Sequence, residues 1–359
     1  MPRKVITIVG ARPQFVKAAV VSRIFHRNRD CFEEKILHTG QHYDDTISGV
    51  FFRDLGIPRP AWNLEVGSAS HGSQTGRMLE RIEQILKVEV PDWVLVYGDT
   101  NSTLAGALAA AKLNIPLAHV EAGMRCFRKE MPEEINRVLT DHLSDLNLAP
   151  TRAACRHLST EGIQQGVHWV GDVMLDAVRL FKTGGFPSGH EPVSHGPLPG
   201  EFLLATIHRA ENTDNLDRFS SLLTLLGSAG LPVILPVHPR TGELLNSMDL
   251  PENIQALHPL PYLEMLRAIQ QAAVLVTDSG GAQKEAFWLD TPCITLRDET
   301  EWIETTDTGR NILVGDNQQA FSSALNRFQK GLPPLPPGTD PHPFGEGHAA
   351  EKIIALLKK

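Results

Sequence analysis

Residues 93–123 read WVLVYGDTNSTLAGALAAAKLNIPLAHVEAG, and this stretch decides the fold. Two apolar runs, 93–97 and 117–120, flank a helix that we predict from residue 100 to residue 112. Short apolar strands that alternate with helices are typical of a parallel sheet covered on both faces. Asp99 follows the first strand and Glu121 follows the second. Because ligands bind beyond the carboxyl ends of such strands, we expect both carboxylates at one crevice.

A third carboxylate, Glu133, lies in the segment MPEEINR at 131–137. Pro132 and the acidic residues after it predict a helix start, which would place Glu133 beside the same crevice. Clustered carboxylates indicate proton chemistry, since like charges in a partly dry site push pKa values apart. An N-cap is the alternative role for Asp99. For Glu121 a function is favoured, because burying a carboxylate without a partner is costly.

The alternation of strand and helix extends along the chain and pauses around residues 183–200, which are rich in Gly, Pro, Ser and His. With 359 residues, the chain exceeds the size at which one hydrophobic core usually stops growing. We therefore predict an α/β protein with two Rossmann-like domains, 1–175 and 176–344, that face a central cleft. The other predicted strands are 5–9, 36–39, 146–149, 202–207, 233–237, 273–277, 293–296 and 312–314.

Composition excludes several function classes. A net charge of −8 argues against a general partner for nucleic acid or an anionic membrane. The four cysteines form no CxxC pair, and the fifteen histidines have no paired metal spacing, so we expect neither a disulfide framework nor a metal site. The sequence contains no run of 18 apolar residues and starts directly with a strand, which predicts no membrane span, no signal peptide and a cytoplasmic protein.

Cationic and polar residues follow the first two strands. Arg12 and Lys17 flank the start of a helix at Pro13, where they are suited to an anionic ligand. The alternative is a helix entry with two solvated cations. Gln41 and His42 lie in a polar loop after the second strand, and this loop either lines the cleft or is a simple turn.

The second half has a matching turn, DSGGAQKE at 278–285. Ser279, Gly280 and Gly281 would let backbone N–H groups approach a phosphate at a helix start. Glu285, one turn into that helix, is placed to accept a pair of ribose hydroxyls. The alternative is a tight turn in which Asp278 or Ser279 only caps the helix.

Further candidates follow other strands of the second half. His208 and Arg209 suit a diphosphate leaving group, with Arg209 as a charge and His208 as a proton donor. His238 has the same placement after its strand. Arg297 begins the charged run RDETE at 297–301, which either contacts a ligand or is a solvated surface. A structural role is the alternative for both histidines.

Together, in this order, the motifs resemble the non-hydrolysing UDP-N-acetylglucosamine 2-epimerase family. The matching blocks are Gly10-Ala11-Arg12-Pro13, Gly40-Gln41-His42, Gly98-Asp99-Thr100, His119-Val120-Glu121-Ala122-Gly123, Pro132-Glu133-Glu134 with Asn136-Arg137, His208-Arg209, and Asp278 to Gly281 with Glu285. They extend over nearly the whole chain.

The resemblance implies a glycosyltransferase-B-like fold whose C-terminal helix, within 345–359, crosses back to the first domain. It implies an isomerase that needs no cofactor and acts on a UDP-sugar as a homodimer. A base removes the C2 proton while UDP leaves C1, and UDP then adds back to the 2-acetamidoglucal. Asp99, Glu121 and Glu133 would transfer protons, with Arg137 in the same site. Arg12, His208, Arg209 and the Ser279–Gly281 turn would hold UDP.

Three departures from the family pattern concern the substrate. Many members have Arg-Pro-Glu at 12–14, where this chain has Gln14, and Thr-Glu-Arg-Pro-Glu at 300–304, where it has Thr-Glu-Trp-Ile-Glu. With the block HGSQTG at 71–76, these changes resemble the branch that acts on UDP-2,3-diacetamido-2,3-dideoxyglucuronic acid. We hypothesise that Gln14 removes a charge that would repel an acidic sugar.

Other functions are compatible with parts of the pattern. A glycosyltransferase of the same fold would explain the UDP-binding turn but not three carboxylates in the first half. A catalytically silent nucleotide-sugar sensor would not need those acids. An epimerase that hydrolyses UDP and releases the free sugar is a closer alternative.

Overall fold

The computed structural model describes residues 2–41, 58–184, 199–237, 239–245 and 248–358. His42 and His238 lie outside the described residues. The chain divides into two compact units: unit 1 contains Met1–Arg179 and His342–Lys359, and unit 2 contains Leu180–Pro341. Each unit is built around its own parallel sheet. The predicted α/β class with two Rossmann-like domains is therefore confirmed.

Unit 1 has a sheet in the order β3-β2-β1-β4-β5-β6-β7, with parallel pairing throughout. Its strands are β1 Arg3–Val9, β2 Phe32–His38, β3 Trp62–Asn63, β4 Trp93–Tyr97, β5 Leu117–Val120, β6 Leu146–Ala149 and β7 Val167–Trp169. Its helices are α1 Arg12–Arg27, α2 His71–Glu89, α3 Asn101–Lys112, α4 Pro132–Leu143, α5 Arg152–Thr160 and α6 Val173–Gly184, the last of which crosses the unit boundary.

Unit 2 repeats this design with the order β10-β9-β8-β11-β12-β13, again parallel. Its strands are β8 Leu203–Thr206, β9 Val233–Pro236, β10 Ile254–Leu257, β11 Val274–Thr277, β12 Cys293–Thr295 and β13 Asn311–Leu313. Its helices are α7 Ala210–Thr213, α8 Leu216–Gly227, α9 Pro239–Leu245, α10 Tyr262–Gln271, α11 Gly280–Trp288, α12 Ile303–Asp307 and α13 Gln318–Phe328.

The C-terminal helix, α14 Ala349–Leu357, belongs to unit 1, as the resemblance implied. Asp176 accepts a hydrogen bond from the N–H of Ala350 at 2.8 Å, and the Arg3 guanidinium donates to the carbonyl of Leu357 at 2.6 Å. These contacts satisfy backbone groups at both helix ends, which otherwise lack helical partners.

Small residues bring α3 close to the sheet of unit 1. A Cβ on Gly106 would lie 2.9 Å from Ile8 and 3.1 Å from Val96, which are both core residues. This packing fixes the start of α3, and therefore Asp99 just before it, against β1 and β4. No helix among the described residues is long and apolar enough to span a membrane.

Both sheets have a topological switch point, where the strand order reverses. It lies between β1 and β4 in unit 1 and between β8 and β11 in unit 2. Connections that leave in opposite directions open a crevice at the carboxyl ends of these strands, which is where ligands bind in such sheets.

Candidate active site

Glu121 follows β5 and forms an ion pair with Lys17 of α1, and both side chains are largely buried. Its φ of 73° lies in the left-handed region, which is unusual for a residue other than glycine. Such backbone strain persists only where the surroundings hold it, and it is concentrated at functional sites. The ion pair with Lys17 offsets the free-energy cost of burying the Glu121 carboxylate.

Asp99 follows β4 and forms an ion pair with Arg137 of α4. The carbonyl of Asp99 also accepts a hydrogen bond from the Asn136 amide at 2.9 Å. The N-cap of α3 is Thr100, whose hydroxyl accepts from the N–H of Thr103. The capping alternative for Asp99 is therefore wrong, and its carboxylate is oriented by α4 instead.

Glu133 is exposed in the first turn of α4, which begins at Pro132 as predicted. The next residue, Glu134, is buried and accepts hydrogen bonds from the N–H groups of Cys126 at 3.1 Å and Phe127 at 2.9 Å. Glu134 thus anchors the loop before α4. The catalytic role of Glu133 stays a prediction.

Gln14 is buried, and both ends of its amide are bonded to the protein, which gives it a structural role. The hypothesis about an acidic sugar stays a prediction. The amide oxygen of Gln14 accepts from the N–H groups of Gly10 and Ala11, and its amide nitrogen donates to the carbonyl of Tyr97 at 2.7 Å and the hydroxyl of Thr103 at 3.0 Å. A glutamate at this position would lack the donor for Tyr97. Gln14 joins the ends of β1 and β4 at the switch point.

Gln41 and Arg12, two other predicted ligands of unit 1, lie at the carboxyl end of its sheet. The Gln41 amide oxygen accepts from the hydroxyl of Ser102 at 2.6 Å and from its N–H at 3.1 Å, so this oxygen serves the first turn of α3. Arg12 begins α1 at the carboxyl end of β1. Substrate binding by both residues stays a prediction.

In unit 2, Asp278 follows β11 and organises the residues after β8. Its buried carboxylate accepts from the N–H groups of His208 and Arg209, both at 3.0 Å, and from the Asn212 amide at 3.1 Å. The His208 Nδ1 lies 3.1 Å from the same carboxylate. Burial raises the pKa of Asp278, but these hydrogen bonds and the His208 charge outweigh it and hold the pKa below its usual value.

A carboxylate that sequence reasoning did not single out, Glu301, lies between Arg209 at 3.3 Å and Arg297 at 2.8 Å. Burial alone would raise its pKa, but the two guanidinium groups lower the pKa to about 2. Arg297 and Glu301 are both largely buried, so the solvated-surface alternative is wrong for these two residues, whereas Asp298 and Glu299 between them are exposed as that alternative expects. The signal available in the sequence was the four-residue spacing of Arg297 and Glu301.

The turn at 278–281 combines capping and close packing. The Ser279 hydroxyl accepts from the N–H of Ala282 and caps α11, so the capping alternative describes this side chain. A Cβ on Gly280 would lie 2.5 Å from the Glu301 carboxylate and 3.0 Å from the Trp302 indole nitrogen. Glu285 is buried in α11. Phosphate binding at this helix start stays a prediction.

Comparisons with known proteins identify the family. Residues 25–358 match the family model described as UDP-N-acetylglucosamine 2-epimerase. The chain is 47% identical to a UDP-N-acetylglucosamine 2-epimerase homolog of Methanococcus maripaludis, and 44% identical to the UDP-2,3-diacetamido-2,3-dideoxy-D-glucuronate 2-epimerase of Pseudomonas aeruginosa. Each alignment covers 99% of both chains.

Solved structures lead to the same family. The UDP-GlcNAc 2-epimerase of Methanocaldococcus jannaschii, in complex with UDP-GlcNAc and UDP, has a TM-score of 0.88 and 40% identity, with 99% of each chain covered. The glycosyltransferase SnogD from Streptomyces nogalater has a TM-score of 0.56 at 13% identity, with 99% of this chain and 100% of that chain covered, a likeness of fold alone. The resemblance stated from the sequence motifs is confirmed: the chain belongs to the UDP-N-acetylglucosamine 2-epimerase family.

Proposed function

We propose that the chain interconverts the gluco and manno forms of a UDP-2-acetamido sugar without hydrolysing it. The observation that carries this proposal is the pair of carboxylates, Asp99 and Glu121, after adjacent strands of one parallel sheet, each paired with a buried cation. An epimerisation at C2 needs a group that takes a proton and a group that returns one to the other face.

The reaction balances without a cofactor. A base takes the C2 proton, the C2–H electrons form the C1–C2 double bond, and UDP leaves with the electrons of the C1–O bond. UDP then adds back to C1 of the 2-acetamidoglucal, and C2 receives a proton on the opposite face. No electron is gained or lost, so positioned acids, bases and charges are sufficient.

We assign proton transfer to Asp99 and Glu121, with Glu133 as a third candidate. Lys17 and Arg137 form ion pairs with these carboxylates and hold them in position, as acid–base catalysis by positioned groups requires. Which carboxylate serves which face of the sugar is a question for isotope exchange in the separate variants.

We assign the diphosphate to unit 2. Arg209 supplies positive charge, and His208 is oriented by Asp278 to protonate or hydrogen-bond the departing oxygen. The start of α11 offers the N–H groups of Gly280 and Gly281 and the Ser279 hydroxyl, since the Ser279 N–H donates to the Thr277 hydroxyl at 2.9 Å. Glu285 is assigned the ribose contact. The remaining assigned ligands are Arg12, Gln41, His42, His238 and Arg297.

UDP-N-acetylglucosamine is the first substrate to test, and UDP-2,3-diacetamido-2,3-dideoxyglucuronic acid is the second. The Pseudomonas aeruginosa relative supports the second. The block at 71–76 also supports the second substrate. His71 lies 3.2 Å from the Asn101 amide nitrogen, and this nitrogen donates a hydrogen bond to Gln74 at 2.8 Å. This block therefore contacts the start of α3, two residues after Asp99.

The test is incubation with each UDP-sugar in D2O, followed by proton NMR at C2. We expect deuterium at C2 and a gluco/manno mixture that remains attached to UDP. Release of UDP with free sugar would indicate the hydrolysing alternative. Intact starting material without exchange on either sugar would refute the epimerase. Turnover that requires an acceptor would indicate a glycosyltransferase.

We also propose a cytoplasmic homodimer. The family resemblance supports the dimer, and sedimentation equilibrium tests it. The four cysteines are all free thiols, which is typical of a reducing compartment. Fractionation of cells that produce the protein would test the location.

A further inference from the structure

A buried charged cluster lies behind the two carboxylates of unit 1 and is formed by His119, Asp141, Arg125 and Glu161. His119 of β5 and Asp141 of α4 are almost completely excluded from solvent, with Nδ1 2.7 Å from the carboxylate. The same carboxylate accepts from Arg125 at 2.7 Å, and Arg125 also pairs with Glu161 at 2.7 Å. The mechanism proposed above does not use this cluster.

The protonation of His119 follows from its partners. Its Nε2 lies 2.7 Å from the carbonyl of Gly98, which can only accept. The Asp141 carboxylate accepts hydrogen bonds from the Arg125 guanidinium at 2.7 Å and from the N–H of Gly123 at 3.0 Å, which is the environment of an ionised carboxylate that only accepts. Both ring nitrogens must therefore carry hydrogen, which makes His119 an imidazolium.

The cluster reaches both turns that carry the candidate catalytic carboxylates. The carbonyl of Gly98, the residue before Asp99, accepts a hydrogen bond from His119. Gly123, two residues after Glu121, donates its N–H to Asp141 at 3.0 Å. Both turns contain left-handed backbone, with φ of 62° at Gly98, 73° at Glu121 and 79° at Gly123. Backbone in this region needs such external support where the residue is not glycine.

We propose that His119 and Asp141 are positioning residues that hold the Asp99 turn and the Glu121 turn in one fixed relative placement. We call this pair the His119–Asp141 clamp. The inference rests on the proposed function, since it concerns the two groups that would exchange the C2 proton. Misplacement of a reacting group by about 1 Å costs on the order of 100-fold in rate.

Two substitutions separate the hydrogen bonds of the clamp from its charge. His119→Phe keeps a buried ring but removes both donors. Asp141→Asn removes the charge but keeps the bonds: its oxygen accepts from Gly123 and Arg125, and its amide donates to Nδ1 of a neutral His119 that still donates to Gly98. His142→Gln is the control, since this half-exposed neighbour contacts only the edge of the cluster, 3.5 Å from Glu161.

We expect His119→Phe to lower kcat for epimerisation and for C2 exchange about 100-fold, with KM and the Kd for UDP changed less than about 3-fold. Asp141→Asn should stay within about 10-fold of wild type, and His142→Gln should equal it. Equal losses in His119→Phe and Asp141→Asn, or a wild-type kcat in His119→Phe, would overturn the clamp. If His119→Phe does not fold, His119→Gln replaces it, because both N–H groups of its amide are on one nitrogen, which cannot take the place of two separate ring nitrogens.

Nitrogen NMR of ¹⁵N-histidine-labelled wild-type protein gives a second test, with the His119 signals assigned by their loss in the variant. Two protonated ring nitrogens are expected, and an unprotonated Nε2 would contradict the clamp, because the ring could not then donate to the carbonyl of Gly98. This spectrum is independent of activity. If wild-type protein shows no C2 exchange, the proposed function fails, whereas exchange that the clamp variants leave unchanged refutes only the clamp.

Discussion

The two switch points use ion pairs in opposite orientations. In unit 1 the carboxylate is the outer partner: the Asp99 side chain is 34% exposed, whereas that of Arg137 is 8% exposed. In unit 2 the basic group is the outer partner: the His208 side chain is 36% exposed, whereas that of Asp278 is 0% exposed. The Arg209–Glu301 pair repeats the orientation of unit 2, whereas Lys17 and Glu121 in unit 1 are both largely buried.

We propose that this reversal suits the two similar sheets to different chemistry. In unit 1 a buried cation lies behind each of the two carboxylates that we assign to proton transfer. A buried acid behind an accessible cation fixes the position of positive charge at the surface of unit 2, which suits a diphosphate. Each unit buries the counter-ion and presents the group that meets the ligand. Four predictions test this division of roles.

The largest effect is expected for Glu121→Gln, which removes the proton acceptor but keeps its shape. We expect C2 exchange in D2O to fall by about 100-fold to 10,000-fold, the usual contribution of acid–base catalysis. The Kd for UDP, measured by calorimetry, should change less than about 3-fold, because the diphosphate is assigned to unit 2.

Glu89→Gln is the matched control. Glu89 pairs with Lys4 at 3.1 Å and Lys35 at 2.9 Å and is about as buried as Glu121. It contacts the start of β1, at the amino edge of the same sheet. Loss of exchange in both variants would mean that any buried lysine–glutamate pair of unit 1 is needed, and the assignment of Glu121 would fail.

Sequence reasoning found groups that directly follow a readable strand. Strands such as 93–97 and 117–120 have continuous apolar runs, so the sequence alone places Asp99 and Glu121 at their ends. The short or polar strands Trp62–Asn63, Val167–Trp169 and Ile254–Leu257 were not predicted, because they carry no such pattern.

The missed residues act through partners that are distant in sequence. Glu301 meets Arg209 across 92 positions, and Asp141 meets His119 across 22. Such pairs depend on tertiary packing: Arg209 follows β8 and Glu301 follows β12, which β11 separates in the sheet, and Asp141 of α4 packs against His119 of β5. A single sequence does not encode that packing in a local pattern. The structural role of Gln14 was missed for the same reason, since its partners Tyr97 and Thr103 lie in β4 and α3.

The second effect concerns stability and pH. The pKa of Glu301 is lowered from 4.5 to about 2. Its contribution to the unfolding free energy is therefore complete above pH 4.5 and is lost as the pH falls from 4.5 to about 2. The shift corresponds to about 3 kcal/mol of unfolding free energy. Glu301→Gln should be less stable than wild type by up to this amount at pH 7, and the difference should shrink towards pH 2.

Urea unfolding at pH 7, 5, 4 and 3 measures this difference. Glu252→Gln removes an exposed carboxylate of the same unit and should follow the wild-type curve at every pH. A stability gap for Glu301→Gln that does not depend on pH would show that packing, rather than charge, joins Glu301 to the two arginines.

The third effect is on UDP affinity. Arg209→Ala removes the outer cation of unit 2 and should weaken UDP binding about 10-fold to 100-fold, the range for hydrogen bonds to charged groups. Arg310→Ala is the control, because Arg310 pairs with Asp290 at 2.7 Å just before β13, at the amino edge of the sheet. If both variants lose the same affinity, net charge rather than the switch-point position holds UDP.

The smallest effect is expected at the close contact between Gly280, in the turn at 278–281, and Glu301. In Gly280→Ala the new methyl group would lie 2.5 Å from the Glu301 carboxylate, so the turn or the carboxylate must shift, at a cost of about 1–3 kcal/mol. Gly281→Ala is the matched control, because its methyl group would meet nothing closer than 3.9 Å. Urea unfolding of both variants should separate them, with Gly281→Ala close to wild type. Equal stability of the two would mean that Glu301 can withdraw from the turn, and the buried acid of unit 2 would then not fix the cation in front of it.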